Sequence, residues 1–389
     1  DLGLEDSTRQ RLQSEVQIII NCAAAVAFDG DLEIALQLNT MGPVRVLDFA
    51  RGCQGAVLAH VSTCYVNGTR QGVVREEPLD PTQDMGDGDG ASHNPYDVEH
   101  EFLALSRLKE SAERRSRRPW LRAKFAWRGM SHRSSHVNVS QSDRFRKDWV
   151  RQHLIAAGMQ WARDRGWNDI YTFTKAMGEQ MIMRYRGDVP TVIFRPSIIE
   201  SAFEVPEPGW LDGLRMIDPL IIAFGRKELP DFPGDPKVIV DMVPVDMVVN
   251  ALLACIPNVH APGGPLVYQI ATGADNPLSL KTFSDLVQEH FRSQPLSGRG
   301  GPSKDLPHIT FPSTKSFLRR LRFRFLWPLR ALEVLSLLCS IFTWGRRFRR
   351  TMRSRRVSVE RLSYWARIYS PYSNAHSQYE SRRMGKVLA

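Results

Sequence analysis

Tyr171-Thr172-Phe173-Thr174-Lys175, followed by Thr191-Val192-Ile193-Phe194-Arg195-Pro196-Ser197-Ile198-Ile199, reads as a helix feeding a buried strand that ends in a small hydroxylated turn. An i,i+4 spacing puts the Tyr171 phenol and the Lys175 ammonium on one helix face. A cation beside a phenol favours the phenolate, so the expectation is a tyrosine pKa drawn down from about 10. A proton donor so placed is what carbonyl reduction requires, because hydride attack leaves an oxyanion to protonate. The same pair on an ordinary helix surface contributes only a few tenths of a kcal/mol. Its meaning depends on its neighbours.

Two upstream runs repeat the pattern of an apolar strand ending in small residues. Ala56-Val57-Leu58-Ala59-His60-Val61 ends in Ser62-Thr63-Cys64. Val16-Gln17-Ile18-Ile19-Ile20 ends in Asn21-Cys22-Ala23-Ala24-Ala25. Small residues and hydroxyls at the carboxyl ends of strands sit where open α/β sheets bind ligands. Strands alternating with helical stretches predict a doubly wound parallel sheet, an α/β fold. Leu266-Val267-Tyr268-Gln269-Ile270-Ala271 reads as a late strand, and a helix begins near Ser279. Residues 293–312, rich in Ser, Gly and Pro, read as a linker, and a mostly helical part follows. Pro/Gly runs at 206–210 and 230–236 read as substrate-side loops.

Taken in order, these segments resemble the extended short-chain dehydrogenase/reductases, and within them the fatty acyl-CoA reductases. Asp241-Met242-Val243-Pro244-Val245-Asp246 and Leu362-Ser363-Tyr364-Trp365, running to Tyr372, resemble two further segments of that family. The resemblance implies a Rossmann-like domain over 1–275, with a basic insertion at about 100–150, and a helical C-terminal domain over 276–389. It implies Tyr171, Lys175 and Thr63, with Ser62 beside it, as catalytic residues. It implies Asn21, Ala23, Ala24, Asn39, Tyr171, Lys175, Pro196, Ser197 and Ile198 against the cofactor, which would be NADPH, and long-chain acyl-CoA as substrate. The family opens with a strand, a Gly-rich turn and a helix N-terminus for the pyrophosphate. Nothing ahead of Val16 has that form, so the expectation is an N-terminally incomplete sheet and a fragment of a longer protein. Gly86-Asp87-Gly88-Asp89-Gly90 follows no strand and reads as a loop. The residues that separate NADP from NAD are not among those recognised.

At 389 residues and 42% apolar content the chain can bury a large core. Cys22, Cys53, Cys64, Cys255 and Cys339 show neither metal-ligand spacing nor a disulfide framework, which points to a reducing compartment and no metal site. Cys64, beside Thr63, invites a covalent thioester reading, but no histidine is placed to activate it. The net charge of +10 is uneven. Residues 315–356 carry +12 and residues 107–151 carry +10, leaving −12 for the rest. The first island mixes arginines with Trp120, Phe125 and Trp127, which suits CoA phosphates, nucleic acid or a solvated insertion; with acyl-CoA as the implied substrate, no nucleic-acid partner is expected. The second brackets Leu318 to Trp344 with arginines. Its uncharged run is too short to span a bilayer, so the expectation is peripheral membrane contact through 318–350 from the cytoplasmic side, or a core helix with an arginine face. Two other classes stay open: a carrier-protein thioester reductase or another extended dehydrogenase, and a non-catalytic remnant.

Overall fold

The computed structural model describes residues 2–79, 96–129, 139–214, 217–226, 231–259, 266–298, 301–302, 309–338 and 343–388. The Gly86–Gly90 run, Cys339 and part of the apolar run before Trp344 lie outside them. In chain order the strands used below are β1 (Ile18–Asn21), β2 (Val57–Val61), β3 (Gly72–Val74), β4 (Thr191–Pro196), β5 (Ile198–Glu200), β6 (Met242–Pro244) and β7 (Leu266–Ile270). The helices are α1 (Asp6–Glu15), α2 (Leu32–Ala35), α3 (Met41–Ala50), α4 (Val98–Ser116), α5 (Pro119–Gly129), α6 (Val139–Asp164), α7 (Ile170–Tyr185), α8 (Asp218–Gly225), α9 (Val245–Cys255), α10 (Leu280–Ser293), α11 (Thr314–Leu321), α12 (Trp327–Leu338), α13 (Thr343–Tyr369) and α14 (Arg382–Leu388).

The chain forms two compact units. One comprises Asp1–Trp210, Met242–Ala274 and Gln378–Ala389; the other comprises Leu211–Asp241 and Asp275–Ser377. The first is built on a four-stranded parallel sheet in the order β1-β2-β4-β7. Val61 pairs with Phe194, and Arg195 with Gln269, so the strand ends lie level at the carboxyl edge. Every residue of β4 is buried, as a strand covered on both faces must be. One face packs Leu47 and Ala50 of α3 and Ile182 of α7 on Leu58, Ile193 and Val267. The other packs Val248, Leu252 and Cys255 of α9 and Met384 of α14 on Ala59, Val192 and Phe194. Alternate strand residues therefore serve opposite helix layers, the doubly wound arrangement expected. At β1, Ile18 and Ile20 are 51% and 46% exposed, and no strand among the described residues pairs with its outer edge.

The basic stretch before Tyr171 is more ordered than its composition suggested. It is helical, in α4, α5 and α6, with Leu105, Ala112, Leu121, Phe125, Val150 and Leu154 buried. Phe125 belongs to this core, whereas Trp120 and Trp127 are exposed. Glu101 is held by the Trp161 indole and the Arg165 guanidinium. A high density of surface arginine hid the apolar periodicity.

The second unit is mostly helical. Phe224 of α8, Phe291 of α10 and Ile309 form one small core, with Phe232, Val287 and Phe311 against it. The stretch read as a linker thus contributes Ile309 and Phe311 to packing. Ser279 caps α10 by accepting from the Thr282 amide, which fixes the helix start read from sequence. Phe317 and Leu321 of α11 pack on Ala366 of α13. No helix among the described residues is long and apolar enough to cross a membrane.

Candidate active site

The site forms at the carboxyl edge of the sheet, where α7 crosses the ends of β2 and β4. Asp169 starts that helix: its backbone is extended, and its carboxylate accepts from the Thr172 amide at 2.8 Å and the Thr172 hydroxyl at 3.0 Å. Tyr171 follows one residue after the first helical position, its ring edge-on to Phe28. The Thr63 side chain, just past the end of β2, lies near enough to the Tyr171 hydroxyl to act on it, favouring the phenolate. One helical turn on, Lys175 donates from Nζ to the Val61 carbonyl at 2.6 Å. Two elements more than a hundred residues apart thereby bring a phenol, a threonine hydroxyl and an amine to one edge.

The electrostatics differ from the sequence expectation in one respect. The Tyr171 pKa is not drawn down; burial pushes it up to about 12, the Asp169 charge adds to that, and the nearby Thr63 hydroxyl opposes it. The i,i+4 spacing gave the neighbour but not the desolvation, and the Lys175 ammonium is engaged by the Val61 carbonyl. Lys175 itself is lowered to about 8, mainly by burial, against the raising effect of Glu179 and Cys22. At neutral pH both groups therefore stay protonated.

Asn39 braces this arrangement. Its Oδ1 accepts from the Ala25 amide at 2.8 Å, and its Nδ2 donates to the Ala25 carbonyl and the Thr174 hydroxyl, each at 3.0 Å. Thr40 donates to the Thr174 carbonyl at 3.1 Å. The loop after β1 is thus clamped to α7. Gly178 permits the approach, because a Cβ there would lie 2.1 Å from the Asn39 carbonyl oxygen.

The other residues expected at the cofactor divide. Ser62 and Ser197 are buried, and neither hydroxyl has a partner among the described residues. The Ser197 amide donates to the Ile270 carbonyl at 3.0 Å, which fixes the turn between Pro196 and Ile198. Ala23 is exposed and Ala24 half-buried just beyond β1. Asn21 turns inward instead, its Nδ2 3.1 Å from Nδ1 of His60 on the neighbouring strand. Cys64 is fully buried and donates from Sγ to the Arg195 carbonyl, which leaves no exposed nucleophile there. Two unsatisfied buried hydroxyls, a phenol and an ammonium at the tips of adjacent parallel strands suit the ribose and carboxamide of a nicotinamide nucleotide.

Sequence reading missed the groups behind the site. Arg195 and Glu179 form a fully buried ion pair: Nε lies 3.0 and 3.2 Å from the two carboxylate oxygens, and Nη2 lies 2.6 Å from one. An arginine inside an otherwise apolar strand was the available signal. Asp246 was quoted only as part of a motif. At the start of α9 its carboxylate accepts from the amides of Phe203, Glu204 and Val205 at 2.8–3.1 Å, which hold its pKa far below the usual carboxylate range.

Comparison with known proteins places these residues in context. Residues 1–252 match the family model described as "Male sterility protein". "Fatty acyl-CoA reductase 2, chloroplastic" of Arabidopsis thaliana is 33% identical over 396 residues, covering 100% of this chain and 58% of the relative. "Probable fatty acyl-CoA reductase 4" of the same plant is 33% identical over 382 residues, covering 96% of this chain and 69% of the relative. The chain therefore spans between half and seven-tenths of the length of these relatives. Among solved structures, the terminal R domain from the myxalamid PKS-NRPS biosynthetic pathway superposes with a TM-score of 0.53 at 15% identity, over 100% of this chain and 66% of that one. That likeness concerns the fold.

Proposed function

This chain belongs to the fatty acyl-CoA reductase family, and from that premise we propose that it reduces a long-chain fatty acyl-CoA thioester with NADPH, through the aldehyde, to the alcohol. The observation that carries the reading is the gathering at the carboxyl edge of a parallel sheet of the Tyr171 phenol, the Thr63 hydroxyl that acts on it, and Lys175 one turn away, anchored to the Val61 carbonyl. The dinucleotide would supply the hydride. Lys175, Ser197 and the Pro196–Ile198 turn would hold its nicotinamide riboside, and Ala23 and Ala24 would lie against its adenosine side.

The chain's own residues account for the rest. Thr63 and Tyr171 stand at the same edge, so a carbonyl oxygen placed against both would receive two hydrogen bonds. Burial keeps the phenol protonated at working pH, so it acts as a donor rather than a base. Negative charge growing on the substrate oxygen draws the proton from the Tyr171 oxygen, and the Thr63 hydroxyl, which favours the phenolate, stabilises the anion left behind. The tetrahedral hemithioacetal then expels the thiol of CoA and becomes the aldehyde. With a second reduced dinucleotide bound and the phenol reprotonated from solvent, the same groups would serve the reduction of the aldehyde to the alcohol.

Tyr171→Phe removes one oxygen atom and tests this directly. Turnover of palmitoyl-CoA is expected to fall roughly 10²–10⁴-fold while NADPH binding, read by fluorescence, is kept. Retention of wild-type turnover would overturn the assignment. Turnover of the same acyl group on a carrier protein, faster than on CoA, would move the protein to the thioester reductases.

We extend the proposal to peripheral membrane contact from the cytoplasmic side. Support comes from exposed Phe323, Phe325, Trp327 and Val334, interleaved with exposed Arg322 and Arg324. Co-sedimentation with anionic phosphatidylserine vesicles, lost in a Phe323→Ser/Trp327→Ser variant, is the expected result. Equal sedimentation of both proteins would remove this part.

A further inference from the structure

The buried pair behind the site has more connections than a structural brace needs. Arg195 is the penultimate residue of β4, immediately before the Pro196–Ile198 turn. Its side chain lies on the α7 face of the sheet, as period-2 alternation with Ile193 requires. There its guanidinium grips Glu179, which stands one turn beyond Lys175 on α7. Its Nη1 also donates to the Glu77 carbonyl at 2.9 Å. Its own carbonyl accepts from Cys64 Sγ at 2.9 Å, next to Thr63. One residue thus touches the helix of Tyr171 and Lys175 and the loop of Thr63, and leads directly into the turn of Ser197.

We propose that Glu179 and Arg195 are positioning residues for this site: their pair fixes α7 to β4 at the turn, and the Glu179 carboxylate supplies the counter-charge that keeps Lys175 an ammonium. The proposal rests on the assignment of Tyr171 and Lys175 above, but its first test does not need turnover. Two charges held without water are expensive unless paired and hydrogen-bonded, so a pair at 0% and 1% exposure next to a third charge calls for a reason. Lys175 gives one. Among the described residues its Nζ has one protein acceptor, the neutral Val61 carbonyl. The groups facing it are Cys22 beyond β1, His60 of β2, and Glu179 of its own helix. His60 is buried and held neutral by burial and by the Lys175 charge. Cys22 carries a raised thiol pKa and is protonated at pH 7. Glu179 is therefore the carboxylate in this set. Arg195 lies on the far side of that carboxylate and aims it; Arg70 and Glu77 lie beyond, near Arg195.

The experiment is a titration of Lys175 in the protein without cofactor, by NMR of lysine labelled with ¹³C at the ε position. The assignment is made by the signal's loss in Lys175→Met. The variant is the double replacement Glu179→Leu/Arg195→Met, which removes both charges and leaves neither partner stranded. The Lys175 midpoint, about 8 in the native protein, is expected to fall by about one pH unit or more. NADPH affinity at pH 7.5 should drop about threefold and recover toward native at pH 6, where the amine is charged again. A conservative variant, Arg195→Lys, keeps the charge but not the fork, and should keep the midpoint near native while lowering kcat. Should the double variant fold with native thermal stability and show an unchanged Lys175 midpoint, the pair is a brace only and the proposal fails. If the double variant does not fold, Glu179→Gln is titrated over the same pH range for the same midpoint, with the same outcomes. Absence of reductase activity in the native protein, with the midpoint shift intact, would count against the enzyme assignment and leave the electrostatic role standing.

Discussion

Arg195 with Glu179, and Arg356 with Glu333 and Glu360, are chemically the same contact in opposite settings. In the first unit the pair is 0% and 1% exposed, on a strand and a helix that carry the site. In the second unit Arg356 of α13 reaches Glu333 of α12 at 2.7 Å and both oxygens of Glu360 at 2.8 Å, with exposures of 20–34%. Arg330 adds a further bond to Glu360 at 3.1 Å. The buried pair concerns one precise geometry, and each of its atoms is spoken for. The exposed network ties two helices together, and water can replace each of its bonds. The position of a charge, more than its identity, decides what it does here.

The largest expected effect breaks that contrast from the buried side. Arg195→Met strands the Glu179 carboxylate and should lower stability by about 3–5 kcal/mol in urea unfolding. Arg356→Met leaves two carboxylates that water can reach, and should lower stability by about 1 kcal/mol at most. Equal losses would mean that burial does not separate the two sites.

Next in size is a pH effect. The Lys175 amine has a native pKa of about 8 against an ordinary 10.5. Between those values the unfolded chain holds a proton at this amine that the native protein does not, so stability rises with pH across that window. The ceiling is about 3 kcal/mol. The Tyr171 phenol, about 12 against an ordinary 10, works the other way. Between 10 and 12 the native protein holds the extra proton, so stability falls as pH rises. Stability measured from pH 7 to 11 should climb from about 8 and turn over near 10. Lys175→Met should abolish the climb, and Tyr171→Phe the turnover. A flat native profile would contradict both burials.

Neutral groups follow the same contrast at smaller size. Asn39→Ala removes three hydrogen bonds and leaves the Ala25 amide without its acceptor, a loss of about 2 kcal/mol. Because the loop after β1 then loses its tie to α7, turnover should fall about tenfold. Asn374 in the second unit donates to the Ser370 carbonyl at 2.7 Å from an exposed position. Asn374→Ala should stay within about 0.5 kcal/mol of native. Denaturant midpoints of the two variants check the pair.

What the sequence disclosed, and what it did not, divides along the same line. The four strands were legible because each is a short β-branched run bounded by small residues, and observed and expected limits differ by a residue or two. Tyr171 and Lys175 were legible because four residues make one turn. Thr63 could be preferred to Ser62 only through family resemblance; in the structure the Thr63 side chain acts on the Tyr171 phenol, while the Ser62 hydroxyl has no partner among the described residues. The rise in the Tyr171 pKa was not legible, since neighbours on a helix are fixed by spacing but burial is fixed by the whole fold. The Glu179–Arg195 pair needed the face of β4 that α7 covers, which no local window contains. The helices of 98–164 were obscured because arginine dominates their exposed faces. Asn21 looked like a cofactor residue by position, yet its strand register sets it opposite His60, and its amide goes there.

Salt gives the smallest effect and sharpens the comparison most. At 1 M the Debye length is about 3 Å, against about 10 Å at 0.1 M, so ions compete well with the carboxylates around Arg356. The cost of Arg356→Met should shrink by a few tenths of a kcal/mol between those conditions. The Arg195 guanidinium and Glu179 carboxylate have almost no contact with solvent, and their separation is already that of a direct bond. The cost of Arg195→Met should therefore be the same at both salt concentrations. The measurement is the difference between variant and native unfolding free energies at each salt, so salt effects on the rest of the protein cancel. A salt-sensitive Arg195 cost would mean that water and ions reach the interior beneath the Pro196–Ile198 turn. The counter-charge on Lys175 would then be screened too, and the site could not depend on a fixed carboxylate behind it.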